Sequence, residues 1–283
     1  MNQNQNKISN QIWHQNVFFR CYPGATSAHL TQYLTGLQLG KLKTVKFIEC
    51  PVPQQSYSNL FELTGVTGVR RLMLVRSSGE RMDFGNLTNL TSLQIERGPA
   101  LSLLSKELLP LSSLRHLSLQ GLKSLTLEPT SFTSLPKLTN LVVTRCRLSS
   151  LHPNQFDLLP GLHNLSLHDN LLTNLHPGIL DGAPNLQMVD LSRNRLTSLP
   201  DGLLEVHQDL RSESCAFQRL QKIQNMHFRF LYLRQNLLER LPDDLLAGKR
   251  HLSILSLDDN GKAECPGGRR RCSYRWKIVY FLF

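Results

Sequence analysis

Apolar residues along this chain fall at fixed intervals. The run LHNLSLHDN at 162–170 places Leu162, Leu165 and Leu167 three and two residues apart and ends on Asn170. The same spacing returns 24 residues later at Leu186, Val189, Leu191 and Asn194. Steps of 24 in the other direction reach Leu138, Leu141, Val143 and Cys146, then Leu114, Leu117, Leu119 and Leu122, then Leu90, Leu93, Ile95 and Gly98. Positions further along each unit keep the same phase, as in Leu103, Leu127, Leu151, Leu175 and Leu199, or Leu108, Phe132, Phe156, Leu180 and Leu204. Toward the N-terminus the units loosen: Val69, Leu72 and Leu74 open one of 21 residues, and Leu42, Val45, Phe47 and Cys50 one of 27. The phase breaks after Leu204 and resumes at Leu231, Leu233 and Asn236, then at Leu252, Leu255, Leu257 and Asn260, for nine units in all.

An apolar residue at every second position makes a short strand with one inward face. A single such unit has nothing to bury that face against, so units of this kind stack and share a continuous core. The asparagine that closes the pattern is expected to turn inward, its amide satisfying backbone groups of the adjacent turn. Pro129, Pro153 and Pro177 share one phase beyond the strand, where proline favours irregular chain over a long helix. The pattern resembles the leucine-rich-repeat superfamily. The resemblance implies an α/β solenoid, a curved horseshoe with a parallel concave sheet and an irregular convex side.

The periodicity divides the chain into a polar N-terminal tail and cap at 1–41, repeats at 42–211, an insertion at 212–229, repeats at 230–260 and a basic non-repeat tail at 261–283. Glu213 and Cys215 fall where strand residues should be apolar, whereas joining Leu210-Arg211 to Phe230 restores the register through to Asn236. The insertion cuts a strand and not a loop, so a retained intron is expected there, with a tolerated loop insertion as the alternative. Read-through is expected for the tail, and a false start at Met1 for a beginning too polar to be a secretory signal. The chain has no apolar run of the ~20 residues that span a bilayer.

Residues 17–53 resemble the start of the insect Toll ectodomain: an early cysteine (Cys21), a strand (Leu37 to Leu39), then Glu49, Cys50 and Pro51 closing a first repeat. The resemblance implies the ligand-facing part of a Toll-type receptor, on the extracellular side of the plasma membrane. Its partner would be a protein ligand, a Spätzle-like cystine-knot dimer, with receptor dimerisation on binding and a role in innate immunity or development. The alternative is an intracellular leucine-rich-repeat scaffold or inhibitor. Cys21 and Cys50 would form a capping disulfide in the first case and remain two buried thiols in the second.

Charge and motifs add exclusions. The net charge of +11 is dispersed: 16 basic against 12 acidic residues at 30–204, and 14 against 9 beyond. With no aromatic interleaving, nucleic acid is not an expected partner. Cys265 and Cys272 stand too far apart for a zinc site, and no metal, cofactor or catalytic motif is present. The chain reads as non-enzymatic. Asn86, Asn89 and Asn164 begin glycosylation sequons; Asn86 and Asn164 are the candidate acceptors, although such triplets also arise from the repeat itself. Direct membrane insertion is not expected. The residues expected to face a ligand, by alternation along the strands, are Lys46, Ile48, Met73, Val75, Gln94, Glu96, Ser118, Gln120, Val142, Thr144, Ser166 and His168, continuing to Asp190 and Ser192. His168 beside Asp169 invites acid–base chemistry, but a neighbouring pair of this kind is ordinarily surface polarity.

Overall fold

Wherever the sequence alternates in the expected phase, the chain forms a strand. A computed structural model describes residues 8–260, except 38, 80–81, 99–100, 104–107, 109, 124, 205–227, 244 and 246–251, together with 279–280. The chain divides into two units, one of residues 1–127 and 133–138, the other of 128–132 and 139–283.

The first unit opens with an antiparallel hairpin of β1 (Ile8–Trp13) and β2 (Asn16–Cys21). Helix α1 (Ser27–Thr35) follows, capped by Thr26, whose hydroxyl accepts from the His29 amide at 3.3 Å while His29 Nδ1 accepts from the Thr26 amide at 3.1 Å. Its inward stripe is Leu30 and Leu34, one turn apart. Next come β3 (Thr44–Ile48), helix α2 (Tyr57–Leu63), β4 (Arg71–Val75), β5 (Ser92–Glu96), β6 (Leu101–Leu103), β7 (His116–Gln120) and β8 (Leu125–Leu127). Strands β2, β3, β4, β5 and β7 pair in that order, all parallel, so that Val17, Val45, Leu72, Leu93 and Leu117 share one register row.

The core of this unit is partly aromatic. Phe19 stacks on Phe47 with ring centroids 5.4 Å apart, and Phe47 lies 6.0 Å from Tyr57 and 6.5 Å from Phe61. Tyr57 lies 5.9 Å from Phe84, which continues the column. Burial pushes the Tyr57 phenol far above its ordinary range, so the ring stays neutral. Cys21 at the end of β2 and Cys50 beyond β3 are joined by a disulfide, their Cα atoms 4.8 Å apart.

Two expectations need correction in this unit. The region expected to be a polar tail and cap contains the β1–β2 hairpin, and β2 is itself the first parallel strand of the stack. The early strand is this β2, ending on Cys21; Leu37 and Leu39 lie outside any strand, because Leu37 closes helix α1 through a 3.0 Å bond from its amide to the Leu34 carbonyl. The expected parallel-sheet solenoid is observed, and its turns also hold a short ladder, β6 paired in parallel with β8, and helix α2 in the longest of them.

The second unit has β9 (Asn140–Thr144), β10 (Asn164–Ser166), β11 (Met188–Asp190), β12 (Phe230–Tyr232) and β13 (Ile254–Ser256), parallel and in sequence order, then β14 (Val279–Tyr280) antiparallel to β13. Here the inward asparagine does what its position suggests. Asn194 Nδ2 donates to Leu167 O at 3.0 Å and to Leu191 O at 2.9 Å, and its Oδ1 accepts from the Leu172 amide at 3.1 Å. Asn170, Asn236 and Asn260 repeat the arrangement, each reaching one turn back. Cys146 occupies the same phase and is buried, its amide donating to Asn170 Oδ1.

Strand β12 pairs with β11 through Met188 and Phe230, 42 residues apart, whereas Asn164 and Met188 are 24 apart. The extra 18 residues leave the register untouched. Phe228, 2% exposed, takes the core position of Leu162 and Leu186, and the Arg229 amide donates to Gln187 O as the Gln187 amide does to His163 O. Phe228 and Arg229 therefore lie within the turn, correcting the expected boundary at 229 by two residues. Leu210-Arg211 and Phe228-Arg229 are both an apolar residue followed by arginine, 18 apart, so either pair satisfies the sequence pattern. The remainder of 212–229, nearly all of 261–283 and residues 1–7 lie outside the described residues.

Candidate protein-binding face

Alternation that sends leucines inward sends the intervening residues to the open face of the sheet. In the first unit the central row runs Phe18, Lys46, Met73, Gln94 and Ser118, and the row beside it Arg20, Ile48, Val75, Glu96 and Gln120. Lys46 Nζ stands 5.9 Å from the Phe18 ring centroid, a cation–π contact that keeps the ring covered on one side. In the second unit Asn140, Asn164, Met188, Phe230 and Ile254 form one row, and Val142, Ser166, Asp190, Tyr232 and Ser256 the next.

Each turn leaves its strand through a left-handed residue. Glu49, Arg76, Arg97, Asp169, Arg193, Gln235 and Asp259 all have φ between 51° and 61°, and Arg145 has φ 56°. Gly121 holds the equivalent place at φ 64°. A left-handed non-glycine residue is uncommon and costs of the order of 1 kcal/mol. The turn places these side chains one above another along the rim of the face. In the first unit Arg76 Nη1 meets Glu49 Oε1 at 2.8 Å. In the second, Arg145 Nε meets Asp169 Oδ2 at 2.9 Å, Arg193 Nε donates to Gln235 Oε1 at 2.7 Å, and Gln235 Nε2 donates to Asp259 Oδ2 at 3.3 Å. These groups are exposed or, for Asp169 and Gln235, half-buried, so the pairs order the rim more than they stabilise it.

The open face of each unit mixes apolar and aromatic side chains, Phe18 and Met73 in the first and Met188, Phe230 and Tyr232 in the second, with polar ones, and charged residues line its rim. Among the described residues no group of three or more His, Cys, Asp or Glu side chains could hold a metal ion, and no helix is long and apolar enough to cross a membrane.

Comparison with known proteins bears on the repeat. The leucine-rich-repeat profile matches residues 136–196 and 160–208, where the inward asparagines begin. Residues 136–208 are leucine-rich repeats. No curated protein matches the chain. Among solved structures it is similar to the ectodomain of GASSHO1/SCHENGEN3, a membrane receptor kinase of Arabidopsis thaliana, solved in complex with Casparian strip integrity factor 2. That match has 22% identity and a TM-score of 0.51 over 81% of this chain and 25% of the other. A chain from the Drosophila Toll–Spätzle complex aligns at 18% identity and a TM-score of 0.49, over 92% of this chain and 42% of that one. The glycosylated form of that complex aligns at 17% and 0.48, over 92% and 43%. The chain thus spans less than half the length of the structures it matches, and the Arabidopsis likeness shows the fold.

Within the leucine-rich repeats, Lys46, Ile48, Met73, Val75, Gln94, Glu96, Ser118, Gln120, Val142 and His168 are half-buried, as expected of side chains standing on a sheet. Thr144, Ser166 and Ser192 depart from the expectation. They are 3%, 8% and 6% exposed, short side chains shielded within the face and unavailable to a partner. His168 and Asp169 do not form an acid–base pair: the Asp169 carboxylate turns to Arg145. Phe18, Arg20, Met188, Phe230, Tyr232 and Ile254 belong to the face and were not among the expected residues. The alternation VFF before Cys21 and FLYL at 230–233 is the signal that identifies most of them. Of the sequons, Asn86 and Asn89 are exposed, while Asn164 stands in β10 on the face itself.

Proposed function

We propose that this leucine-rich-repeat chain is the ligand-facing part of a Toll-type extracellular receptor, a non-catalytic surface that captures a protein ligand of the cystine-knot class. The observation that carries the reading is the Cys21–Cys50 disulfide. It lies within the segment 17–53 whose sequence resembles the start of insect Toll ectodomains, and structural disulfides belong to oxidising compartments. The open face supports the binding half of the proposal. Met73, Phe230 and Tyr232 are of the residue types that dominate protein interfaces when ringed by charge.

The test is direct binding of a Spätzle-type cystine-knot dimer to the chain produced through a secretory route. Saturable binding is expected, weakened about tenfold or more by Met73→Asp in the first unit or Tyr232→Ala in the second, the loss typical of a central contact. A flat response over the full concentration range overturns the proposal.

A further inference from the structure

The dispersed positive charge of the sequence is gathered by the fold of the first unit. The residues that lead into its parallel strands are Lys43 before β3, Arg70 and Arg71 at β4, and Arg115 and His116 at β7. Backbone hydrogen bonds fix their order along the sheet edge. Arg70 and Arg71 amides both donate to Lys43 O at 2.9 Å; Thr91 and Ser92 amides donate to Arg70 O; Arg115 and His116 amides donate to Thr91 O at 2.9 and 3.0 Å. Lys41 joins the group, paired with Thr67 in a parallel bridge, its aliphatic stem over Gly68, where an added Cβ would come within 3.2 Å of it. All six side chains are exposed.

The sequence leading into these strands is free of acidic residues: segments 36–43, 64–71, 85–92 and 109–116 contain no Asp or Glu. Among the described residues Lys41, Lys43, Arg70 and Arg71 form no ion pair, in contrast to the rim at the far end of the same strands, where Arg76 meets Glu49. Strands β3, β4 and β7 bring these cations to the edge, with Thr91 and Ser92 of β5 between them; four strands at the usual ~4.8 Å spacing make the edge roughly 14 Å long.

We propose that this edge binds a sulfated polysaccharide. Guanidinium and ammonium groups on a linear scaffold complement a polymer with anionic groups along its length, arginine above all because its planar fork donates to two oxygens of one oxyanion at once. The edge carries no aromatic residue on which a base would stack, which disfavours single-stranded nucleic acid. The choice of a polysaccharide also rests on the extracellular reading, since such polymers are displayed there. The edge is separate from the face assigned to the protein ligand, so failure of one assay leaves the other intact.

The test measures binding of heparin to the full chain as a function of salt. The variant Lys43→Gln/Arg70→Gln/Arg71→Gln is expected to weaken binding at least tenfold and to reduce the slope of log Kd against log salt concentration, since fewer counterions are released. Arg70→Lys/Arg71→Lys, which keeps the charge but not the fork, should lose less affinity than the glutamine variant and keep the salt slope, which shows that the edge tolerates substitution. A control with the same net charge, Arg147→Gln/Arg195→Gln/Arg240→Gln, removes exposed cations of the second unit and should change Kd less than twofold. Equal losses in the two triple variants would mean that net charge alone attracts heparin, and would overturn the proposal. So would duplex DNA or phosphatidylserine vesicles binding as tightly as heparin.

Discussion

Asn194 shows how much one side chain contributes to a stacked turn. Its amide closes three hydrogen bonds to backbone groups that are shut off from water: the carbonyls of Leu167 and Leu191 and the amide of Leu172. Alanine at this position leaves all three without a partner, and a buried group stripped of its bond costs about 1–3 kcal/mol. Asn194→Ala is therefore expected to destabilise the chain by about 3 kcal/mol in urea denaturation, well above the ordinary effect of a point mutation. A change within 0.5 kcal/mol of zero, roughly the scatter of surface substitutions, would show that the bonds are replaceable. The first unit has no such amide: Cys50, Ser77, Gly98 and Leu122 hold the place, and its core turns instead on the Phe19–Phe47–Tyr57–Phe84 column and the Cys21–Cys50 bridge.

At the scale of the element, the strands were legible because period-2 alternation is a local signal, and Leu117–Leu119 or Leu141–Val143 need only their neighbours to declare a face. Helix α1 was not, since its two inward leucines lie in a polar stretch and its cap is a Thr–His pair. The left-handed exits escaped for a different reason. Arginine at 76, 97, 145 and 193 has no intrinsic preference for positive φ, and the stacked neighbours impose it. Shielding of Thr144 and Ser166 depends on adjacent strands that alternation cannot see. The register across β11 and β12 is set by pairing along the sheet and not by distance along the chain. A chain lacking residues 210–227 should keep the Met188–Phe230 pairing, because Asp209 then leads into Phe228 at the usual 24-residue interval. Its stability should shift by about 1 kcal/mol at most, the amount that connection length contributes between two fixed anchors. Loss of cooperative unfolding in that deletion would show that the extra residues support the turn.

For the whole molecule the decisive question is the compartment, and one peptide map answers it. Digestion of the native protein without reduction should yield a cross-linked Cys21–Cys50 peptide. Enzymatic deglycosylation should convert Asn86, exposed in a turn, to Asp and leave Asn164, which stands on the face among Asn140 and Met188, unchanged. Free thiols with an unmodified Asn86 would place the chain with intracellular scaffolds.

The asparagine stacking gives the second unit a direction. Each amide reaches back to the turn before its own, so Asn236 steadies Leu191 and Leu196, and Asn260 steadies Leu233 and Leu238. A lesion at one asparagine is consequently felt upstream. The amide protons that lose their shelter belong to the preceding turn, and solvent enters the stack one step toward the N-terminus of the damage.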